Sequence, residues 1–436
     1  MEKYREKIIS VKKALSFVKS DSCIMTAVAA VAPQAFLSEL HTIADRVRNV
    51  NVNLCLSLRS YDFLESSQYE ESFEVVSWFY GPAMRKAQNI RKVTYCPNHL
   101  RYMGRNRLKA VHPNIFVGCG TYPDENGKIS VSLSSIYETE VMKAADIVII
   151  EMNQKCPRTF GDVELHVDDV DYLIEVDYDI PIVPSAEPNE KDMTIGRYIA
   201  DYIKDGDCIQ LGIGGIPNAV AKSLYGKKNL GVHTEMLTAE MVELAKAGVI
   251  NGSCKQIDNG KMVATFAMGT KEMYEYMDNN PSVQISSSIY VTDPNVIAQN
   301  ENQVSINTTL EVDLTGQCCS ESIGQVQFSG TGGQTDTAIG AQLSKNGRSF
   351  IALYSTAMVR NKETGEREEV SKIVCQLKPG AAVSLSRNDI EYLVTEYGVV
   401  NLKGRTVKER VELIISIAHP KFREQLMQEA REVGLI

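Results

Sequence analysis

The stretch "ALSFVKSDSCIMTAVAAVAPQAFLSEL" (residues 14–40) lines up with "IADYIKDGDCIQLGIGGIPNAVAKSL" (residues 199–224), and this internal match decides the fold. In each copy an amphipathic helix is predicted to end at Lys19 or Lys204. A short strand then leads into a loop of small residues, and each loop meets a proline that suits a first helical turn. Two ordinary helix–strand–helix units are the alternative, but we take the match to predict an internal duplication.

The duplication predicts two similar domains, residues 1–187 and residues 188–436. A chain of 436 residues is too long for one hydrophobic core, which agrees with this division. The boundary falls in "PSAEPNEKDM" (residues 184–193), a polar stretch with two prolines between apolar segments.

Helical and strand patterns alternate within each predicted domain. The segment "SSIYETEVMKAA" (residues 134–145) suits a helix, and "DIVIIEM" (residues 146–152) suits a buried strand. Two further strands are predicted at "RSFIALYSTAM" (residues 348–358) and "AAVSLSR" (residues 381–387). This alternation predicts open α/β domains with mainly parallel sheets, in which ligands bind beyond the carboxyl ends of the strands.

Composition excludes several classes of protein. The net charge of −9 argues against a nucleic-acid partner, because phosphate backbones are bound by clustered lysine and arginine. The longest apolar runs are far shorter than the roughly 20 residues that cross a bilayer, and the N-terminus lacks the apolar core of a signal peptide. We therefore expect a cytoplasmic protein with no membrane partner. The ten cysteines and six histidines show no metal-ligand spacing, so reduced thiols and no metal are expected.

Two glycine-rich loops are candidate binding sites for an anion or an oxyanion. The first contains Gly212, Ile213, Gly214, Gly215 and Ile216 between a predicted strand and a predicted helix. Glycine leaves backbone N–H groups unobstructed, and a helix N-terminus adds a positive dipole. A tight turn that only needs glycine is the alternative, and the third glycine of a dinucleotide fingerprint is absent.

The second glycine-rich loop contains Gly330, Gly332 and Gly333, which expose backbone donors in the same way. A flexible surface loop is the alternative interpretation. Asn307 lies upstream and carries an amide that could donate a hydrogen bond, although asparagine is also a common turn former. Glu235 stands directly after the predicted end of a buried strand, where a carboxylate is either catalytic or structural.

These motifs together resemble one family. The run of "GIGGIPNAV", "GVHTEM", "INTTLEVDLTGQ" and "SGTGGQTD", followed by residues 385–426, is similar to the acetyl-CoA hydrolase/transferase family. The 4-hydroxybutyrate and butyryl-CoA:acetate CoA-transferases are the most similar branch. In the N-terminal half, "VHPNIFVG" and residues 145–162 fit the same branch, so the resemblance covers nearly the whole chain in order.

The resemblance implies two open α/β domains of the CoA-transferase type with the active site between them, and it places the catalytic glutamate on Glu235. A carboxylate is already ionised at neutral pH and can attack an acyl-CoA thioester without a partner base. The implied reaction moves CoA between a short-chain acyl-CoA, such as butyryl-, 4-hydroxybutyryl- or propionyl-CoA, and a carboxylate such as acetate. It is ping-pong through a glutamyl-CoA thioester.

By the same resemblance, Asn307 and the backbone of the two glycine loops donate hydrogen bonds to the oxyanion, and residues 212–216 and 330–333 line the CoA pantetheine. Lys345 is predicted to contact CoA phosphates, with a solvated lysine as the alternative. No cofactor is expected beyond CoA as substrate and product, and relatives suggest a homo-oligomer.

The chain also departs from the family. The loop "AVAAVAPQAF" (residues 27–36) has no glycine where the C-terminal copy has three, so we expect it to shape the acyl pocket and not to bind an anion. Thr337 stands where the family often has an aromatic residue. Two other functions stay open: an acyl-CoA hydrolase on the same scaffold, in which water resolves the intermediate, and a non-catalytic CoA-binding protein.

Overall fold

Short helices and strands alternate along the chain in the computed structural model, which describes residues 4–360 and 365–436. Up to residue 184 the strands are β1 (Cys23–Thr26), β2 (Val50–Asn53), β3 (Phe73–Ser77), β4 (Val93–Tyr95), β5 (Ile115–Gly120), β6 (Lys128–Ser130), β7 (Ile147–Asn153), β8 (Phe160–Gly161), β9 (Glu164–His166) and β10 (Tyr172–Val176). The α-helices of this part are α1 (Val11–Leu15), α2 (Gln34–Glu39), α3 (Pro82–Ala87), α4 (Met103–Ala110) and α5 (Glu138–Ala144).

The rest of the chain continues the same pattern. Its strands are β11 (Cys208–Leu211), β12 (Gly231–Leu237), β13 (Met262–Ala267), β14 (Val283–Ile285), β15 (Gln303–Thr308), β16 (Glu311–Asp313), β17 (Cys318–Cys319), β18 (Ser322–Ile323), β19 (Val326–Gln327), β20 (Arg348–Ala352), β21 (Thr356–Arg360), β22 (Arg367–Ser371), β23 (Ile373–Val374), β24 (Tyr392–Thr395) and β25 (Gly398–Asn401). Its α-helices are α6 (Glu190–Ala200), α7 (Gly215–Lys222), α8 (Ala239–Lys246), α9 (Lys271–Met277), α10 (Ser288–Val291), α11 (Pro294–Ile297), α12 (Gln334–Leu343), α13 (Val407–Ser416) and α14 (Pro420–Glu432).

The first of two compact units contains the described residues up to Pro184 together with residues 235–239 and 261–292. Its seven-stranded sheet has the order β10-β7-β5-β1-β2-β3-β4, and every neighbouring pair is parallel. The end of β12 continues in this unit through β13 and β14 to β8. Apolar residues of β1, β2, β3 and the helices beside them form the core, with Phe36, Phe63 and Phe73 fully buried.

The second unit contains residues 185–234, 240–260 and 293–436. Its main sheet has the order β25-β24-β20-β15-β11-β12, and only the edge pair β24–β25 is antiparallel among the pairs from β25 to β12. Helices α13 and α14 cover an apolar cluster around Leu393, Val411 and Ile414. The predicted α/β class with mainly parallel sheets is therefore confirmed.

The strand order supports the internal duplication. The order β10-β7-β5-β1-β2 of the first unit is repeated by β24-β20-β15-β11-β12 of the second, and the duplicated stretches supply the central strands β1 and β11. Pro217 lies in the first turn of α7, as predicted, whereas Pro33 is one residue earlier than predicted, at the N-cap of α2. As a division into domains, the boundary at residues 187 and 188 stays a prediction, and the compact units assign residues 235–239 and 261–292 to the first unit.

The predicted ends of elements differ from the observed ones in several places. Helices α1 and α6 end four residues before Lys19 and Lys204, because tight turns such as Val18 N–H to Leu15 C=O follow them. The predicted strand 348–358 is two strands, β20 and β21. The predicted strand 381–387 is wrong, since its only pairing is an isolated bridge at Leu385.

No helix in the part of the chain that the structure describes is long and apolar enough to cross a membrane. All ten cysteines are free thiols.

Candidate active site

Glu235 is the fifth residue of the seven-residue strand β12 and not the residue after a strand, as the sequence suggested. The strand continues to Leu237 because its end lies beside β13, and helix α8 begins at Ala239. The other six residues of β12 are buried, and Glu235 alone is partly exposed. The carboxylate therefore lies in an otherwise buried strand at a position that solvent can reach.

Two carboxyl groups of the first unit, Glu138 and Glu235, act electrostatically on the buried thiol of Cys55. Burial raises the pKa of the Cys55 thiol, and the charges of Glu138 and Glu235 raise it further. Burial also raises the pKa of Glu138, whose carboxyl group accepts hydrogen bonds from the backbone N–H of Val28 and from the Ser134 hydroxyl. Because a thiol reacts as its thiolate, Cys55 stays protonated and unreactive beside Glu235.

The first glycine loop connects β11 to the N-terminus of α7. Ile213 is half exposed and Gly214 is the N-cap, with φ of 112°, which suits glycine. Within the described residues, the backbone N–H groups of residues 212–216 make no hydrogen bond. The loop is therefore an open cluster of donors at a helix N-terminus, where anions bind favourably.

Asn307 lies in β15, beside the first glycine loop. The strands β11 and β15 are parallel neighbours, and Leu211, which precedes the loop, is paired with Ile306. The Asn307 side chain is partly exposed, and its Nδ2 lies 3.3 Å from Gln210 Oε1 and 3.1 Å from Thr337 Oγ1. The structure thus brings Asn307 and the first glycine loop to the same edge of the second unit's sheet.

The second glycine loop ends at the N-terminus of α12. Gly330, Gly332 and Gly333 are all buried, and Gly332 has a φ of 56°. The hydroxyl of Thr331 donates to the Glu321 carboxylate over 3.0 Å, which helps to hold the loop. The hydrogen bond from Asn307 to Thr337, in the first turns of α12, joins this loop to the same edge of the sheet.

Lys345 is not brought together with these residues. It follows the far end of α12, about 15 Å along a helix of ten residues from the second glycine loop. Its carbonyl accepts from the N–H of Asn302 just before β15 begins, at the opposite end of that strand from Asn307. Its ammonium pairs with Glu301 over 3.1 Å. A contact of Lys345 with CoA phosphates stays a prediction.

Gln210 and Thr337 surround Asn307 and were not singled out from the sequence as site residues. Gln210 is 3% exposed and Thr337 is 3% exposed, so both are buried polar groups. The signal in the sequence is a glutamine within the apolar strand "CIQL", where a buried amide needs a hydrogen-bond partner.

The fold agrees with the matches of this chain to known proteins. Models of the acetyl-CoA hydrolase/transferase N-terminal and C-terminal domains match residues 1–184 and 269–430. The chain belongs to the acetyl-CoA hydrolase/transferase family.

Two named relatives and one solved structure align with nearly the whole chain. The succinyl-CoA:cyclohexane-1-carboxylate CoA transferase of Geobacter metallireducens is 40% identical, with 100% of this chain and 97% of the relative aligned. The 4-hydroxybutyrate coenzyme A transferase of Clostridium kluyveri is 39% identical, with 99% of each chain aligned. The crystal structure of RipA from Yersinia pestis has a TM-score of 0.91 at 34% identity, covering 99% of both chains. The predicted family and the class of acyl-CoA:carboxylate CoA-transferase are confirmed.

Proposed function

We propose that this chain transfers CoA between a short-chain acyl-CoA and a small carboxylate such as acetate, through a thioester on Glu235. Butyryl-, 4-hydroxybutyryl- and propionyl-CoA are the proposed donors, in keeping with the butyrate and 4-hydroxybutyrate named for relatives. The observation that carries the proposal is Glu235, the one partly exposed residue of the otherwise buried strand β12.

The proposed reaction begins when a Glu235 carboxylate oxygen attacks the thioester carbonyl and expels CoA thiolate, leaving a mixed anhydride. The thiolate then attacks the glutamyl carbonyl, which releases the first carboxylate and forms the glutamyl-CoA thioester. The second carboxylate attacks this thioester and expels the thiolate again. Attack of the thiolate on the new acyl carbon then gives the new acyl-CoA and restores Glu235.

Each of these steps passes through a tetrahedral oxyanion, for which fixed hydrogen-bond donors are commonly the largest catalytic contribution. We propose that Asn307 and the backbone N–H groups of the two glycine loops are these donors, and that residues 212–216 also line the CoA arm. The unbonded N–H groups of residues 212–216 support this role. The proposed reaction needs no cofactor. Cytoplasmic location and a homo-oligomeric state remain predictions from the sequence.

The test is to trap the glutamyl-CoA thioester. The protein is incubated with butyryl-CoA or acetyl-CoA without an acceptor, treated with hydroxylamine or borohydride, and digested for peptide mass mapping. We expect a modification confined to the peptide that contains Glu235, and parallel lines in double-reciprocal plots of the transferase reaction.

Replacement of the nucleophile gives the matching kinetic test. Glu235→Gln should lower kcat by about 10³-fold or more, because the amide cannot form the anhydride. Glu243→Gln is the control, since Glu243 is an exposed residue of α8 that pairs with Lys246. Activity of Glu235→Gln within tenfold of the wild type would remove Glu235 as the nucleophile. Release of free CoA without transfer to acetate would instead identify a hydrolase.

A further inference from the structure

Three buried polar side chains of the second unit surround Asn307. Gln210 comes from β11, Ser305 from β15 and Thr337 from α12. Gln210 and Thr337 are each 3% exposed and Ser305 is fully buried. Buried polar groups without partners are costly, so a cluster like this one holds its members in fixed orientations.

The amides of Asn307 and Gln210 form a reciprocal pair. Asn307 Nδ2 donates to Gln210 Oε1 over 3.3 Å, and Gln210 Nε2 donates to Asn307 Oδ1 over 3.4 Å. Gln210 Oε1 also accepts from the backbone N–H of Ile306 over 3.1 Å, which fixes the glutamine on the neighbouring strand. The plane of the Asn307 amide is therefore set by Gln210.

Three oxygens lie within hydrogen-bond distance of Asn307 Nδ2. Besides Gln210 Oε1, they are Ser305 Oγ at 3.0 Å and Thr337 Oγ1 at 3.1 Å. The Thr337 hydroxyl can in turn donate to the carbonyl of Gln334 over 3.2 Å, and the Thr337 N–H donates to Gly333 C=O over 2.8 Å. Thr337 thus connects the Asn307 amide to the end of the second glycine loop, while Gln210 precedes the first.

We propose that Gln210 and Thr337 are positioning residues, which hold the Asn307 amide in the orientation that its donation to the oxyanion requires. This inference rests on the proposed function, in which Asn307 is an oxyanion donor. A donor of this kind acts only when its position is fixed before the reaction, within roughly half an ångström. Neither residue is proposed to touch the reacting atoms.

The test compares two substitutions of one residue. Thr337→Val removes the hydroxyl at nearly the same side-chain shape, whereas Thr337→Ser keeps the hydroxyl and loses the methyl group. We expect Thr337→Val to lower kcat about tenfold with the KM for acyl-CoA unchanged, because the oxyanion donor is misplaced while substrate binding is not. Thr337→Ser should stay within about twofold of the wild type. An unchanged kcat for Thr337→Val, with or without a lower melting temperature, would overturn the assignment.

A double-mutant cycle with Asn307→Ala tests whether Thr337 acts through Asn307. We expect Asn307→Ala to lower kcat about 10²-fold, as for loss of one oxyanion donor. Adding Thr337→Val to Asn307→Ala should then cost no further activity, since residues that act through each other are not additive. The same fold loss in both backgrounds, or an Asn307→Ala variant of normal kcat, would contradict the inference.

A replacement variant and a wild-type control distinguish failure of the positioning role from failure of the proposed function. Gln210→Met replaces Thr337→Val in the cycle if the valine variant does not fold, with the same expected tenfold loss and the same loss of additivity. A wild-type protein that transfers no CoA and gives no labelled Glu235 peptide would refute the proposed function itself. An active wild type whose Thr337 and Gln210 variants behave normally would refute only the positioning role.

Discussion

The loops that follow the central strand differ in solvent exposure between the two copies of the duplicated unit. Residues 27–33, between β1 and α2, are all buried and contain no glycine, whereas residues 212–214, between β11 and α7, have exposed members. Ile213 is 51% exposed, but every side chain of the first loop is less than 9% exposed. Equivalent strands in the same sheet order thus lead into a closed loop in one unit and an open loop in the other.

The helix N-termini explain this difference. In the first unit the backbone N–H groups of Ala35 and Phe36, in the first turn of α2, donate to the carboxylate of Glu151 over 3.2 and 2.7 Å. Tyr178 donates its hydroxyl to the same carboxylate. In the second unit, no described residue accepts from the N–H groups of residues 212–216. The first copy thus satisfies its helix N-terminus with an internal carboxyl group, whereas the N–H groups of the second have no acceptor among the described residues.

The largest effect on the free energy of unfolding is expected from the buried carboxyl group of Glu151. Burial raises the pKa of Glu151 to about 7, against the hydrogen bonds from Tyr178 and α2 that lower it. Because the folded pKa lies above that of the unfolded chain, the folded state holds a proton that the unfolded state loses first. The free energy of unfolding should therefore fall as pH rises from about 4.5 to 7, by about 3 kcal/mol from this group.

Glu151→Gln is the variant that isolates this contribution. Urea titrations between pH 5 and pH 8, about the window set by the two pKa values, measure the free energy of unfolding of the wild type and of Glu151→Gln. As pH rises, the wild type should lose stability relative to Glu151→Gln. Glu175→Gln, at an exposed position of the neighbouring strand β10, should leave the wild-type profile unchanged. A pH-independent difference for Glu151→Gln would show that Glu151 is ionised throughout and carries no such penalty.

A smaller effect on the free energy of unfolding is expected at Gly215, which packs against Asp192 of the same unit. A Cβ on Gly215 would lie 2.3 Å from Asp192 Oδ2, and Asp192 is 2% exposed and bound by Tyr354 and the N–H of Asn189. Gly215→Ala should therefore lower the free energy of unfolding by about 2 kcal/mol, as overpacking does. In Gly212→Ala the new Cβ meets its nearest atom at 3.7 Å, which is ordinary contact, so its stability should be close to wild type. Equal urea midpoints for the two variants would mean that Asp192 yields to the new methyl group.

Local patterns predicted much of this fold and site. The duplication, the α/β class, the central strands and the two glycine loops follow from apolar runs and glycine positions that neighbouring residues determine. The strand before Glu235 was predicted to end at Thr234, three residues too early, because β12 pairs with β13 and continues to Leu237.

Long-range contacts account for what the sequence could not predict. Glu151 is 115 residues from Phe36, and Gln210 is 97 residues from Asn307, so neither hydrogen-bond partner can be read from spacing. The segment 381–387 is apolar enough for a strand. Ser384, however, directs its hydroxyl to Glu321 and accepts from the N–H of Ser320, and pairing there is limited to one bridge.

The smallest effects on the free energy of unfolding are expected from Gly214→Ala in the open loop and Ala29→Gly in the closed loop. Gly214 has a φ of 112°, and a Cβ at this position would meet no atom within 4 Å, so Gly214→Ala should cost only backbone strain, about 1 to 2 kcal/mol. Ala29 in the closed loop already has a φ of 52°, and Ala29→Gly relieves that strain while it adds freedom to the unfolded chain and removes a buried methyl group. These contributions oppose each other, and Ala29→Gly should stay within about 1 kcal/mol of wild type. Thermal unfolding of both variants measures the contrast, and a Gly214→Ala variant as stable as wild type would show that the open loop relaxes into an ordinary conformation when glycine is absent.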